Sequence, residues 1–336
     1  MRFRTNYETT MTSSPWTRRA ALLGLLACVG GPASSFAQDA AYPTKAVTLV
    51  VPFPAGGPTD ASARLFAKAM GDKLGQPFVV DNRAGAAGTV GSAFVVRAPS
   101  DGYTLLWGGT STLAVAPGLY KGLKYDAKSF VPIGMALRGP LMIAGRPNLP
   151  AKDLPELIAL AKAQPLTIGS AGNGSIGHLA TEQFQEAAKI KLTHVPYRGG
   201  SPAITDAIGG QIDMVFDTAA ALAPFVKAGK LKAFAVTGSK AYAPLPDVPV
   251  ARATLPSMEG YSWFGLVAPA NTPAQAVQAL TKAFADAANS PEIQRELAAT
   301  GVEPGVATPK AFADVITTDS AKWSGLIQRA NVRADE

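Results

Sequence analysis

Val47-Thr48-Leu49-Val50-Val51-Pro52-Phe53-Pro54-Ala55-Gly56-Gly57-Pro58-Thr59-Asp60 takes a short apolar run through two prolines into a glycine pair. Val47 to Val51 suits a strand covered on both faces, and Pro52 and Pro54 stop it because neither can donate to a ladder. Gly56 and Gly57 let the backbone approach a ligand with no Cβ in the way. Thr59 or Asp60 is placed to cap the helix that Ala61, Leu65, Phe66, Ala69 and Leu74 continue. The free N–H groups at such a helix start carry roughly half a positive charge and favour a carboxylate or phosphate in front of them. A plain βα turn is the alternative reading of a lone Gly-Gly pair.

Upstream, Arg18 and Arg19 precede the apolar stretch Ala20 to Val29, and Ser35-Phe36-Ala37 supplies small residues before Gln38. That order predicts a cleaved export signal over residues 1–37 and a mature chain starting near Gln38. The apolar stretch falls short of the ~20 residues a bilayer requires, and no later stretch reaches that length free of charges and prolines. Thr17-Arg18-Arg19 also resembles a twin-arginine signal, with Met11 as an alternative start. Leu25-Leu26-Ala27-Cys28 offers a rival outcome, a lipoprotein tethered through an acylated Cys28.

Cys28 is the only cysteine of the 336 residues, so a chain cut after Ala37 has no disulfide and no thiol chemistry. With 47% hydrophobic residues it must be held by its core, and its length suggests two compact lobes. The net charge of +7 draws on Arg2, Arg4, Arg18 and Arg19 of the signal, which leaves only a mild bias toward anionic small molecules. The remaining Lys and Arg are scattered, with no basic stripe carrying interleaved aromatics, which argues against nucleic acid.

Short strand-like runs alternate with stretches of helical period, the pattern of parallel βα units. Strands are expected at Phe78 to Val80 and Tyr103 to Trp107 with a helix near Val90 to Ala98 between them, and apolar runs follow at Phe130 to Leu137 and Leu141 to Ala144. A second α/β body comprises helices at Leu154 to Ala163, His178 to Ala188, Ala203 to Ile208 and Ala219 to Lys227. Its strands are Leu166 to Ile168, Leu192 to Val195, Met214 to Phe216 and Ala233 to Val236. A proline-marked return leads to a strand at Phe264 to Val267. Helices at Pro273 to Ala288, capped by Thr272-Pro273, Glu292 to Ala299 and Pro309 to Arg329 close the chain. Periodicity alone leaves two arrangements open, sequential domains or one lobe inserted into the other. Insertion would set the first glycine loop across a cleft from the second-body loops at Gly169 to Ser175 and Asp217-Thr218.

Gly172-x-Gly174-x-x-Gly177 copies a dinucleotide fingerprint, yet the region that should carry the acidic ribose ligand reads Thr193-His194-Val195-Pro196-Tyr197-Arg198. Ser170 and Ser175 instead offer hydroxyls beside free helix N–H groups, suited to a carboxylate or simply to capping. Catalytic constellations are thin: no Gly-x-Ser-x-Gly, no His-Glu-x-x-His and no phosphate-loop lysine occur. The two histidines are His178 and His194. His178 falls in the first turn of a helix, where a neutral ring can donate to a ligand or serve a structural role. No carboxylates are spaced to bind a metal with them, and no cofactor is expected.

Several stretches in fixed order carry a resemblance: Tyr42-Pro43-x-Lys45, Val51 to Asp60, Asp81-Asn82-Arg83-Ala84-Gly85 and Asp101-Gly102-Tyr103-Thr104-Leu105-Leu106. They continue with Gly172-Asn173-Gly174-Ser175 before His178-Leu179, His194 to Gly199, Leu245-Pro246-Asp247-Val248-Pro249 and Trp263-Phe264-Gly265-Leu266. Together they resemble the Bug family, the extracytoplasmic solute-binding proteins of tripartite tricarboxylate transporters. The resemblance implies an α/β periplasmic-binding-protein-like Venus flytrap, two doubly wound lobes with crossing hinge strands. Lobe 1 would comprise residues 38–141 and 263–336, and lobe 2 the inserted residues 142–262.

It further implies a periplasmic, non-enzymatic monomer that takes a small carboxylate or amino-acid-like ligand and passes it to membrane permease subunits. A sensing role with a signalling partner and an exported hydrolase remain as other classes. Ligand contacts are implied for Ala55, Gly56, Gly57, Thr59 and Asp60 in lobe 1, with Thr110 and Ser111 added as hydroxyls, and for Ser170, Ser175, His178 and Asp217 in lobe 2. Ala114-Val115-Ala116 before Pro117 departs from the asparagine often found there, so a polar contact is expected to be missing from that wall.

Overall fold

The computed structural model describes residues 5, 6, 8 and 42–334. The export signal, its cleavage point at Ala37 and the acylation candidate Cys28 lie outside the described residues. No helix of the described residues is long and apolar enough to cross a membrane.

The opening apolar run forms β1 (Val47–Val51), followed by α1 (Pro58–Leu74), β2 (Phe78–Asn82), α2 (Thr89–Arg97) and β3 (Thr104–Gly109). β1 pairs in parallel with both β2 and β3, as βα connections require. Alternation along β1 sends side chains to both faces. Val47, Leu49 and Val51 join Phe66 and Met70 of α1 in one core, while Val50 joins Val95 of α2 in another. Phe66 also stacks on Phe284 at 5.1 Å and tilts against Trp107 at 5.3 Å, so the first core has an aromatic centre.

After the turn at Thr110–Val115 and a short helix α3 (Ala116–Leu119), the chain enters β4 (Phe130–Gly145). The two apolar runs read separately around Arg138-Gly139-Pro140 are one 16-residue strand. Its first part, Phe130–Pro140, pairs antiparallel with β9 (Tyr261–Pro269), and its last part, Leu141–Gly145, pairs with β7 (Met214–Thr218) and β8 (Lys232–Val236). Register shifts between Pro132 and Gly134 and between Met135 and Leu137 mark irregularities of the kind that bend a strand. β4 thereby belongs to two sheets.

The second sheet adds β5 (Thr167–Ser170) and β6 (Thr193–Pro196), parallel to each other, with β5 parallel to β7. It is flanked by α4 (Leu154–Ala163), α5 (Ile176–Ala188), α6 (Gly200–Ile208) and α7 (Ala219–Lys227). Met142 and Ala144 pack with Ala203, Ile204 and Leu222, whereas Leu141 and Ile143 join the core of Leu157 and Phe184, so both faces are covered. The strand order is β2-β1-β3-β9-β4-β7-β5-β6. The chain closes with α8 (Ala274–Ala288), α9 (Pro291–Ala299), β10 (Glu303–Pro304) paired with β4, and α10 (Pro309–Ala330). Thr272 does not cap α8: its hydroxyl donates to the Pro269 carbonyl, and Pro273 holds the N-cap position without a side-chain bond.

Candidate functional site

Gly57 is the N-cap residue of α1 and Pro58 follows in the first helical turn, so neither Thr59 nor Asp60 caps the helix in the expected manner. Asp60 lies within the first turn, and its Oδ2 reaches back to accept the Gly56 N–H at 3.0 Å. It is 4% exposed and also takes bonds from Arg64 Nε at 2.9 Å and Asn82 Nδ2 at 2.9 Å. Asn82 Nδ2 donates in addition to the Phe53 carbonyl at 3.1 Å. Burial alone would raise the Asp60 carboxyl, but the donors Arg64, Gly56 and Asn82 outweigh it and hold the group below the usual carboxylate range. These bonds clamp both ends of the turn, and Gly56, at φ +85°, takes the left-handed conformation that closes it. The N–H groups of Gly57 and Thr59 make no hydrogen bond among the described residues, so the rigid loop presents them unpaired.

The second glycine loop is built similarly. Ser175 is the N-cap of α5 and its Oγ accepts the His178 N–H. Gly177 packs its Cα against the β7 backbone so closely that a Cβ would lie 2.2 Å from the Phe216 carbonyl oxygen. Behind this turn lies a buried polar chain. Ser175 Oγ donates to Ser170 Oγ at 3.2 Å, Ser170 Oγ sits 2.7 Å from His194 Nε2, and the His194 and His178 rings stack at 4.1 Å. Burial, with the neighbouring His178, pushes His194 down to about 3. His178 Nδ1 accepts the Gly174 N–H at 3.1 Å. Both histidines therefore shape the loop from behind.

A cavity of about 520 Å³ lies between the two sheets' loops. Four helices start on it: α1 at Gly57, α5 at Ser175, α6 at Gly200 and α7 at Thr218, each presenting first-turn N–H groups. No lysine or arginine lines it among the described residues, and its one acid is Asp217. The Asp217 Oδ1 accepts the Thr218 N–H at 2.6 Å. Burial pushes its carboxyl up to about 6, with the Thr218 N–H pulling the other way.

Of the residues singled out in the sequence, Gly56, Gly57, Thr59, Ser111, Ser175 and Asp217 line this cavity together. Ala55, Asp60, Thr110, Ser170 and His178 are not on its wall. Ala55 is exposed, and Asp60 ties down the loop. Thr110 Oγ1 accepts the Trp263 N–H at 3.0 Å, while Ser170 and His178 stand behind Ser175. Arg198 lines a separate cavity of about 320 Å³ beyond Phe53, Pro54 and Ala171. Sequence reading missed Ser201, Thr205, Ser262 and Thr300 on the main cavity wall. Ser201 follows Gly199-Gly200, a second glycine pair before a helix, and that signal was available. Ser262 sits in an apolar strand and gives none.

A cleft of helix N-termini between two α/β sheets that share the crossing strand β4 is the architecture of a periplasmic binding protein. The solved periplasmic binding protein BugD bears this out: it is 34% identical, the match covers 87% of this chain and 99% of BugD, and the TM-score is 0.81. A model of the tripartite tricarboxylate transporter family receptor matches residues 62–332, and this chain belongs to that family. The protein BugT of Bordetella pertussis is 33% identical over 322 residues, 94% of this chain and 98% of BugT. Two ligand-bound structures are also similar. Rpa4515 of R. palustris with adipate is 34% identical with a TM-score of 0.83, covering 87% of this chain and 99% of that one. MatC of Rhodopseudomonas palustris with bound malate is 32% identical with a TM-score of 0.80, covering 85% of this chain and 100% of that one.

Proposed function

We propose that this protein captures a small carboxylate in the periplasm between its two lobes and delivers it, as a monomer, to the membrane permease of a tripartite tricarboxylate-type transporter. The observation that carries this reading is the start of four helices on one cavity that no lysine or arginine of the described residues lines. Peptide N–H groups and the hydroxyls of Thr59 and Ser201 then supply the positive field and the donors. The malate of MatC and the adipate of Rpa4515 support the ligand class.

The dividing lines at residues 141/142 and 262/263 fit this mechanism, because β4 changes its partner from β9 to β7 and β8 after Pro140. Ligand contacts split between lobes would form together only on closure, which makes the closed form the one a permease can distinguish. Charge-assisted hydrogen bonds contribute about 1.5–3 kcal/mol each, so four or five reach the ~8 kcal/mol of a micromolar complex after the cost of immobilisation. The Ser170–His194 contact has the spacing of a nucleophile and its base, yet Ser170 is 0% exposed, which supports binding without turnover. Calorimetry with organic acids and their uncharged amides tests the reading: acids bind and amides do not, whereas equal binding of both contradicts it.

A further inference from the structure

The main cavity adjoins a side pocket of about 250 Å³ with which it shares Pro58, Thr59, Thr218, Ser262 and Phe264. Beyond that common wall most of the surface is apolar, from Leu65 of α1, Leu137 and Pro140 of β4, and Leu297 and Val302 at and after the end of α9, with Ser62 and Glu296 as its polar side chains. Ser262 stands on the shared wall and is 2% exposed. Its Oγ makes no hydrogen bond among the described residues. A buried hydroxyl in that state costs stability, and a polar atom of a ligand lying along the wall would satisfy it.

Charge narrows the ligand further. The side pocket, like the main cavity, is lined by no lysine or arginine of the described residues, and its one ionisable side chain is the acid Glu296. A second carboxylate reaching across from the helix N-termini would meet Glu296 at one end or Asp217 at the other, with no cation to offset either. The volume is ample for a ring, since an apolar cavity of roughly 150 Å³ is enough to admit benzene.

We infer that the ligand is a monocarboxylate with an apolar tail: the carboxylate lies on the helix N-termini, the uncharged aliphatic or aromatic tail fills the side pocket, and a hydrogen-bonding atom between them faces Ser262. This rests on the carboxylate reading of the main cavity and sets the chain apart from its dicarboxylate-bound relatives. Isothermal calorimetry of the protein with lactate, 3-phenyllactate, 3-phenylpropionate and adipate tests it. 3-Phenyllactate binds at least tenfold tighter than lactate, about the gain from burying a phenyl ring, and tighter than adipate. Leu65→Trp, which fills the side pocket, abolishes the ratio between the two hydroxy acids. Ser262→Ala brings 3-phenyllactate down to the level of 3-phenylpropionate without lowering the melting temperature, because the lost hydroxyl had no partner. Acids that bind with no gain from the ring, or adipate as the tightest of the four, overturn this inference and leave the carboxylate reading standing. If none of the four acids binds, the carboxylate reading falls and takes this inference with it.

Discussion

The hydroxyl oxygen of Ser111, on the turn after β3, accepts a 2.9 Å hydrogen bond from the N–H of Ile176, the first residue of α5. The bond joins the two halves of the cleft directly and occupies one of the first-turn donors of α5. A buried neutral hydrogen bond contributes about 0.5–1.5 kcal/mol net, so Ser111→Ala is expected to lower the free energy of unfolding by about 1 kcal/mol. If the bond latches the lobes, the variant's radius of gyration without ligand rises in small-angle scattering. An unchanged radius would show that closure does not depend on it.

Gly57 separates ligand binding from folding. Its φ of −85° and ψ of 170° are open to any residue, and a Cβ there would meet nothing within 4 Å. Gly57→Val should therefore fold, at a cost of about 1 kcal/mol for placing a β-branched residue at a helix N-cap. The added side chain occupies the space in front of the α1 amides, and losing two charge-assisted bonds should weaken carboxylate binding by roughly 100-fold or more. Calorimetry and a melting curve on the same sample check both halves.

Asp217 makes binding depend on pH. Its folded-state value of about 6 stands above the unfolded one because of burial, so the folded protein holds the proton more tightly. Stability from this group is therefore full below about pH 4 and falls as the pH rises to about 6. A carboxylate in the same cavity is repelled once Asp217 ionises. Affinity for a monocarboxylate should drop several-fold between pH 5 and pH 7.5, and Asp217→Asn should flatten the profile. Tighter binding at the higher pH would instead indicate a ligand that brings its own cation.

Asp60 should act in the opposite sense. Its value is held low despite burial because Arg64, Gly56 and Asn82 donate to the charged form. The stability it contributes is present above about pH 4 and disappears as the pH falls through the folded value. Asp60→Asn is expected to cost on the order of 1–3 kcal/mol at neutral pH and to shallow the acid limb of stability. Urea unfolding at a series of pH values reads both effects.

Where local pattern and packing agree, the elements were legible to the residue. Leu154–Ala163 and Ala219–Lys227 are helices with the bounds their periodicity gives. In sequence β4 reads as two runs because the charged Arg138 and then Gly139-Pro140 interrupt the apolar residues. Only pairing with Ser262 and Tyr261 of β9, a contact across more than 100 residues, keeps the strand continuous there. The Val47–Asp60 turn announced an anion site through its glycines, but the roles within it depend on tertiary partners. Asp60 looked like a ligand contact until Asn82 and Arg64, from β2 and the next turn of α1, were seen to hold it. His178 likewise looks ligand-facing in sequence, and only the fold stacks its ring on His194 behind Ser175.

The most direct test is a crystal structure of the protein with the tightest acid from the calorimetric series. Carboxylate oxygens are expected within about 3 Å of the Gly57 and Thr59 nitrogens, with other atoms of the molecule touching residues of the second sheet's loops across the main cavity. Density for the acid in the Arg198 cavity, or a carboxylate held by side-chain cations away from the α1 start, would contradict this placement.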